Sequence, residues 1–144
     1  MLLDMRPGLG PEPAGLRARV ERVLAALELA PGAELSLVVC GDQEIAGLNR
    51  QWLGRQGPTN VLAFAQGEGQ GAELTPGLLG DVVVSAETAA REAEQYGLEP
   101  DEHLIRLIIH GILHLLGYDH EQGGAEAQRM EELTEELLAA SAPA

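Results

Sequence analysis

The sequence predicts a single α+β domain in which a small mixed sheet of about four strands packs with about five helices. A length of 144 residues favours one domain that can bury a core. Apolar residues make up 45% of the chain and charged residues 22%, which is typical of a globular protein and excludes intrinsic disorder. Short β-branched runs alternate with stretches whose apolar residues recur at helical spacing, which favours a mixture of strands and helices.

These patterns place the elements along the chain. Residues 1–15 are rich in glycine and proline, so we expect a flexible segment with at most a short strand at Leu2–Met5, and a domain over 16–144. Further strands are predicted from β-branched runs at Glu34–Cys40, Asn60–Phe64 and Val82–Val84. Helices are predicted over about 16–27, 42–52, 85–96, 100–116 and 124–140, and a mobile glycine-rich loop over 67–80. The N-caps of two of these helices are expected at Asp42 and Ser85.

The charge of the chain is strongly asymmetric. The formal net charge is −14, of which residues 1–60 carry −1 and residues 61–144 carry −13. All nine basic residues are arginines, whose planar guanidinium suits phosphate recognition. Most of this surface repels a polyanion, which weighs against a nucleic-acid partner unless the contact uses the N-terminal half or a cleft focused by a metal ion.

Cysteine content and hydropathy indicate the compartment. Cys40 is the only cysteine, so no internal disulfide can form and a reducing cytoplasm is expected. The N-terminal residues lack the features of a secretory signal. The longest nearly apolar stretch, Leu104–Leu116, is interrupted by Arg106 and two histidines and is too short for a membrane span. We therefore expect a cytoplasmic protein without a membrane segment.

Three histidines form the most informative pattern in the sequence. His110 and His114 are four residues apart on a predicted helix, so both imidazoles project from one face. Gly117 can adopt a positive φ and end the helix, which lets His120 approach the same point. Three neutral imidazoles leave a tetrahedral metal ion one open position, as in catalytic zinc sites. We predict a metal site at the end of a central helix, with zinc expected and nickel or cobalt also accepted.

The residue after the first histidine separates two hydrolytic chemistries. The spacing of the three histidines and the glycine equals that of the metzincin peptidases, in which a glutamate after the first histidine is the general base. Here that position is Gly111, which cannot transfer a proton. The chemistry that remains is hydrolysis in which a metal lowers the pKa of bound water and neutralises a developing oxyanion. Phosphodiester cleavage fits this description.

Two nearby residues have both a functional and a structural interpretation. His103 lies two turns before His110 on the same helix face, where it is either a wall of the site or a surface residue. Asp119 either orients an imidazole or accepts a proton, or it hydrogen-bonds the backbone of a turn. The residues alone leave both alternatives open.

The segment His110–His120 resembles the signature His-Gly-x-Leu-His-Leu-x-Gly-Tyr-Asp-His of the YbeY family of single-strand-specific, metal-dependent endoribonucleases involved in ribosomal RNA maturation. Leu48-Asn49, Pro58–Phe64 and Leu79–Ser85 are similar to other blocks of that family, in the same order. The resemblance extends from Leu35 to Leu138. It implies an α+β fold, a zinc ion on the three histidines, a cytoplasmic location, and action on small-subunit ribosomal RNA, including its 3′ end and its quality control.

Two departures from the family pattern concern the site. Leu53 stands where many members have an arginine thought to serve catalysis or RNA binding. Arg55 is the nearest substitute and either binds a scissile phosphate in bidentate fashion or remains a solvated loop residue. Ala63 replaces a serine of the family. The predicted site has the metal ligands His110, His114 and His120, the catalytic residues Arg55 and Asp119, and the substrate-binding residues Ser85 and His103.

The residues favour or disfavour four functions. The leading one is a metal-dependent endoribonuclease that acts on ribosomal RNA or the small ribosomal subunit, with a ribosomal protein or an assembly GTPase as a further candidate partner. The alternative is a zinc-stabilised ribosome assembly factor with little nuclease activity, which Leu53 favours. Gly111 disfavours a zinc peptidase. A hydrolase of small molecules stays compatible with the spacing, because three-histidine sites support several hydrolyses.

Overall fold

The computed structural model describes residues 1–29, 32–65, 78–118 and 123–143. Within these ranges, four strands and five helices follow one another along the chain. They are β1 (Leu2–Met5), α1 (Pro13–Ala26), β2 (Glu34–Cys40), α2 (Asp42–Leu53), β3 (Val61–Ala65), β4 (Leu78–Ser85), α3 (Ala86–Tyr96), α4 (Pro100–Leu115) and α5 (Gly124–Ser141).

The strands form one mixed sheet in the order β1-β2-β4-β3. β2 pairs in parallel with β1 and with β4, whereas β3 runs antiparallel to β4 and lies at an edge of the sheet. Parallel neighbours need long connections. α1 joins β1 to β2, and α2 and β3 lie between β2 and β4 in the chain. The mixed sheet and its five helices confirm the predicted α+β class.

The larger core lies between one face of the sheet and the helices α1, α4 and α5. Alternate side chains of β2 and β4 point into it, because successive residues of a strand face opposite sides. α4 contributes the buried residues Leu104, Ile105, Leu107, Ile108, Ile109, Ile112 and Leu113, and is the central helix of the fold. No helix in the described ranges has both the length and the apolarity that crossing a membrane requires.

The opposite face of the sheet is covered by α2. Ile45 of α2 packs there with Cys40, Leu62, Phe64 and Val83, which come from three strands. Burial raises the pKa of the Cys40 thiol to about 11, so the thiol stays protonated and serves as a small apolar side chain. α3 packs against α4 at the side of the sheet.

The N-terminal segment is more regular than predicted. β1 pairs with β2 along its whole length. α1 begins at Pro13, and the Glu12 side chain caps it by accepting hydrogen bonds from the N–H groups of Ala14 and Gly15. The domain boundary placed at residue 16 therefore falls inside a helix, and residues 1–15 supply a strand of the sheet.

Two further boundaries differ from the predictions. Gly41 is the N-cap of α2, whereas Asp42, predicted as the cap, is the first helical residue and accepts hydrogen bonds from side chains of the α3 region. β4 begins at Leu78, so the predicted glycine-rich loop over 67–80 ends earlier than expected. Residues 66–77 of that loop lie outside the described part of the chain.

Candidate functional site

A cleft of about 520 Å³ lies between α4, the edge strand β3 and the loop that joins α2 to β3. We call it the α4–β3 cleft. Its polar lining within the described ranges comes from Arg55, Thr59, Asn60, His110 and His114. The structure therefore brings together one predicted catalytic residue and two predicted metal ligands.

α4 carries both histidines of this cleft. The helix begins at Pro100, and the Glu99 side chain caps it by accepting a hydrogen bond from the Glu102 N–H at 2.7 Å. His110 is half-buried and His114 is exposed, and both line the cleft, as the four-residue spacing predicts. Two imidazoles one turn apart are a donor pair that suits zinc.

The end of α4 agrees with the sequence prediction. Gly117 has a φ of +96°, and its N–H donates a hydrogen bond to the carbonyl of His114 at 3.0 Å. Asp119 and His120 lie outside the described residues. Within the ranges that are described, no group of three His, Cys, Asp or Glu side chains is placed to hold a metal ion. The three-histidine metal site stays a prediction.

Gly111 lies at a close approach of α4 to the sheet. A Cβ atom here would lie 2.8 Å from Cγ1 of Val82 and 3.3 Å from Cγ2 of Val61. Val82 is fully buried and cannot move aside easily, because protein interiors are close-packed. The position that carries the general base in metzincin peptidases therefore has no room for a side chain in this fold.

The loop after α2 presents Arg55 to the cleft. Gly54 ends α2 with a φ of +66°. Asn49 is buried, and it holds the loop because its Nδ2 donates to the Gly57 carbonyl at 3.0 Å and its backbone carbonyl accepts from the Arg55 N–H at 3.3 Å. The Arg55 side chain is exposed and has no ion pair within the described residues. Leu53 lines the same cleft, so Arg55 is placed where it can stand in for an arginine at that position.

Ser85 is completely buried at the N-cap of α3. Its Oγ accepts a hydrogen bond from the Thr88 N–H at 3.1 Å and donates one to the Asp42 carboxylate at 2.7 Å. Burial acts to raise the pKa of Asp42, but hydrogen bonds from Arg91, Thr88 and Ser85 lower it by more and hold it at about 2. Ser85 joins α2 to α3 and is not among the described residues that line the cleft. Its role in substrate binding stays a prediction.

His103 is buried between α3 and α4 and is likewise not among the described cleft residues. Its Nε2 lies 2.9 Å from Oε1 of Glu92. Both carboxylate oxygens of Glu92 accept hydrogen bonds from Asn60 Nδ2 at 3.3 Å, and Asn60 lines the cleft. His103 is thus linked to the cleft through two residues that were not predicted as site residues. The sequence signal for Asn60 is its place in the block Pro58–Phe64.

Comparison with known proteins decides the family. A family model described as Endoribonuclease YbeY matches residues 13–142, which is most of the chain. The chain belongs to the YbeY family. The resemblance carried by the segment His110–His120 is thereby confirmed.

YbeY-family relatives are similar to the chain over most of its length. Endoribonuclease YbeY from Geobacter metallireducens is 50% identical over 125 residues, which cover 86% of this chain and 83% of the relative. The protein of that name from Syntrophotalea carbinolica is 54% identical over 110 residues, covering 76% and 73%. The solution structure of TM1509 from Thermotoga maritima covers 97% of this chain and 89% of its own, with a TM-score of 0.64 and 23% identity, and shows the same fold.

Proposed function

We propose that the chain is a metal-dependent, single-strand-specific endoribonuclease that acts in ribosomal RNA maturation, at the 3′ end of the small-subunit RNA, and in ribosome quality control. Membership of the YbeY family supports the endoribonuclease activity. The observation that carries the proposal is that Arg55, His110 and His114 line one cleft. The same cavity thus offers imidazole donors for a cation and a guanidinium for an anionic phosphodiester.

The metal would be held by His110, His114 and His120, with one zinc ion per chain and nickel or cobalt as substitutes. Bound there, it would lower the pKa of water and neutralise the negative charge that develops around phosphorus. α4 orients the first two imidazoles towards the cleft. Gly111 has no side chain to move a proton, so in this proposal Asp119 accepts it.

Arg55 binds the scissile phosphate through two parallel N–H···O hydrogen bonds. No ion pair within the described residues has to break before it does so. Its guanidinium then stabilises the charge on the phosphoryl oxygens when water or the ribose 2′-hydroxyl attacks phosphorus. Asn49 reduces the entropy that the loop loses on binding, because it already holds the loop at Gly57.

The partner proposed is ribosomal RNA within the small subunit, in the cytoplasm. The net charge of −13 over residues 61–144 repels free RNA. A ribosomal protein or an assembly GTPase with a basic surface is therefore proposed as a second partner. The exposed glutamates of α5 that would face it include Glu126, Glu131 and Glu136.

A second candidate function is a zinc-stabilised assembly factor of the small subunit with little nuclease activity. Leu53 favours it, because an apolar side chain that is 46% exposed lines the cleft where a phosphate is expected. An apolar group at that place adds nothing to phosphate binding. The two functions differ in whether the purified protein cuts RNA.

The test compares the wild type with His114→Ala and Arg55→Ala. Both side chains are exposed, so each substitution should change the free energy of unfolding without metal by less than about 0.5 kcal/mol. We expect the wild type to hold zinc and to cut a single-stranded RNA carrying the small-subunit 3′ end, and His114→Ala to do neither. Arg55→Ala should keep the metal and cut about 100-fold more slowly. Arg50→Ala, an exposed arginine of α2, is the matched control.

One outcome would overturn the nuclease, and another would overturn only the role of Arg55. If the wild type holds metal but cuts no RNA, even with ribosomal particles present, the assembly factor replaces the nuclease. If Arg55→Ala cuts as fast as Arg50→Ala, the nuclease stands and Arg55 is a solvated loop residue.

A further inference from the structure

Asn60 is held in the α4–β3 cleft from two sides. Its backbone carbonyl accepts a hydrogen bond from the Ser85 N–H at 2.9 Å. Its side-chain Nδ2 donates to both carboxylate oxygens of Glu92 at 3.3 Å. Because a carboxylate only accepts, the amide group of Asn60 must turn its NH2 towards Glu92. The amide oxygen Oδ1 therefore points away from Glu92.

Glu92 is itself fixed by His103. The imidazole of His103 has a side-chain exposure of 8%, and its Nε2 lies 2.9 Å from Oε1 of Glu92. Nε2 carries the proton in this contact, since the carboxylate can only accept it. Within the described ranges, Nδ1 of His103 has no hydrogen-bond partner. The contact with Glu92 is therefore the hydrogen bond that orients the imidazole ring.

Hydrogen bonds connect the side chains of His103, Glu92 and Asn60 from the α3–α4 interface to the cleft. Burying such groups is less favourable than packing apolar side chains in the same space. These hydrogen bonds hold the Asn60 amide in a single orientation at the cleft. An amide that is fixed before the ligand binds loses little rotamer entropy on binding.

We propose that Asn60 is a substrate-contacting residue whose Oδ1 accepts a hydrogen bond from a donor group of bound single-stranded RNA, and that Glu92 and His103 are positioning residues for it. RNA has three kinds of such donors, which are the ribose 2′-hydroxyl, the exocyclic amino group of a base and the ring N–H of guanine or uracil. The inference rests on the proposed function, because it takes RNA as the ligand of this cleft.

The experiment combines enzyme variants with substrates that each lack one donor. Single 2′-deoxy substitutions, and base analogues that lack one amino or ring N–H donor, are introduced one position at a time around the cleavage site. The ribose next to the scissile phosphate is left intact, because its 2′-hydroxyl is a candidate nucleophile. At one position we expect the wild type to lose about tenfold in kcat/KM, as for one hydrogen bond. Asn60→Ala should show a similar loss with the complete RNA and no further loss when that donor is removed. Whether the sensitive position is a ribose or a base identifies the donor.

The positioning role of Glu92 has its own readout. Glu92→Gln replaces the two acceptor oxygens of the carboxylate with one acceptor oxygen and one donor NH2 group. The Asn60 amide is then held less firmly in one orientation, so KM should rise while kcat changes little. In this variant, removing the sensitive donor from the RNA should lower kcat/KM by much less than the tenfold expected for the wild type. A purely structural role of Glu92 would leave that loss unchanged. Glu94→Gln, an exposed glutamate two residues further along α3, is the matched control and should leave both quantities unchanged.

The outcomes separate this inference from the function on which it rests. If the wild type cuts RNA and every donor deletion costs Asn60→Ala as much as it costs the wild type, the inference is wrong and the nuclease stands. If the wild type neither binds nor cuts RNA, the proposed function fails and the inference fails with it. Should Asn60→Ala not fold, Glu92→Gln carries the same comparison.

Discussion

Gly111 lies where α4 comes close to the sheet. An alanine Cβ would lie 2.8 Å from the buried Val82 side chain. Helix propensity alone would favour alanine by about 1 kcal/mol, and overpacking of a close-packed interior costs about 1 to 3 kcal/mol. We therefore predict that Gly111→Ala lowers the free energy of unfolding by up to about 2 kcal/mol. Urea denaturation of the wild type and of Gly111→Ala measures this difference in the free energy of unfolding.

A second helical glycine supplies the control for this prediction. Gly47 is exposed on α2, and a Cβ there would meet no atom within 4 Å. Gly47→Ala should therefore stabilise the protein by about 0.5 to 1 kcal/mol. If both substitutions stabilise to the same degree, the close approach of α4 to Val82 does not constrain position 111.

Asp42 is predicted to make stability depend on acid. Its folded-state pKa is about 2, below the ordinary 3.8, so its ionised form stabilises the fold. This contribution, about 2 kcal/mol, is fully present above about pH 4 and is lost as the pH falls towards 2. Asp42→Asn should be less stable at pH 7 by about this amount and should lose less stability between pH 4 and 2.

Thermal unfolding of both proteins across this pH range checks the prediction. Arg91→Gln removes one of the three donors to the carboxylate and should lose less than Asp42→Asn. Parallel curves for the wild type and Asp42→Asn between pH 4 and 2 would contradict the assigned cause.

At the scale of the element, the loop between α2 and β3 depends on Asn49. This residue is 4% exposed, and its side chain donates a hydrogen bond to the Gly57 carbonyl, while its backbone carbonyl accepts one from the Arg55 N–H. Gly57 is exposed, so water can replace the lost amide donor, and the loss of this hydrogen bond costs about 0.5 to 1.5 kcal/mol. We predict that Asn49→Ala loses this stability and also lowers kcat for RNA at saturating metal, because the loop that carries Arg55 is no longer fixed at Gly57.

The comparison with Arg55→Ala makes this prediction specific. If the loop acts through Arg55, the double variant should cut RNA no more slowly than Arg55→Ala alone. If the fold-loss in kcat of the double variant equals the product of the two single losses, Asn49 stabilises the fold without positioning Arg55.

At the scale of the whole molecule, charge opposes the proposed substrate. Residues 61–144 carry −13, and Glu131 and Glu136 of α5 are exposed. Replacing both with glutamine should raise RNA affinity roughly two- to fivefold at low salt, by reducing long-range repulsion. The gain should vanish near 1 M salt, where the Debye length is about 3 Å. Binding measured by fluorescence anisotropy at both salt concentrations tests this, and a gain that persists at high salt would indicate a direct contact.

Local patterns in the sequence were sufficient for the start of α3 and the end of α4. The N-cap at Ser85 and the positive φ at Gly117 were predicted, because caps and helix ends depend on residues within one turn. The spacing of His110 and His114 likewise placed both imidazoles on one face of α4. The prediction of Asp42 as the N-cap of α2 was wrong, because its carboxylate accepts hydrogen bonds from residues more than 40 positions away.

What the sequence determined by itself was therefore the family, the α+β class and the helix that carries two of the candidate ligands. Only the tertiary structure decided that Arg55 shares a cleft with those ligands, and that His103 is linked to it through Glu92 and Asn60. These contacts join residues that are far apart in the chain, and they exist because α3, α4 and β3 pack together. Packing of this kind depends on the shapes of all three elements at once, which no local pattern of residues encodes.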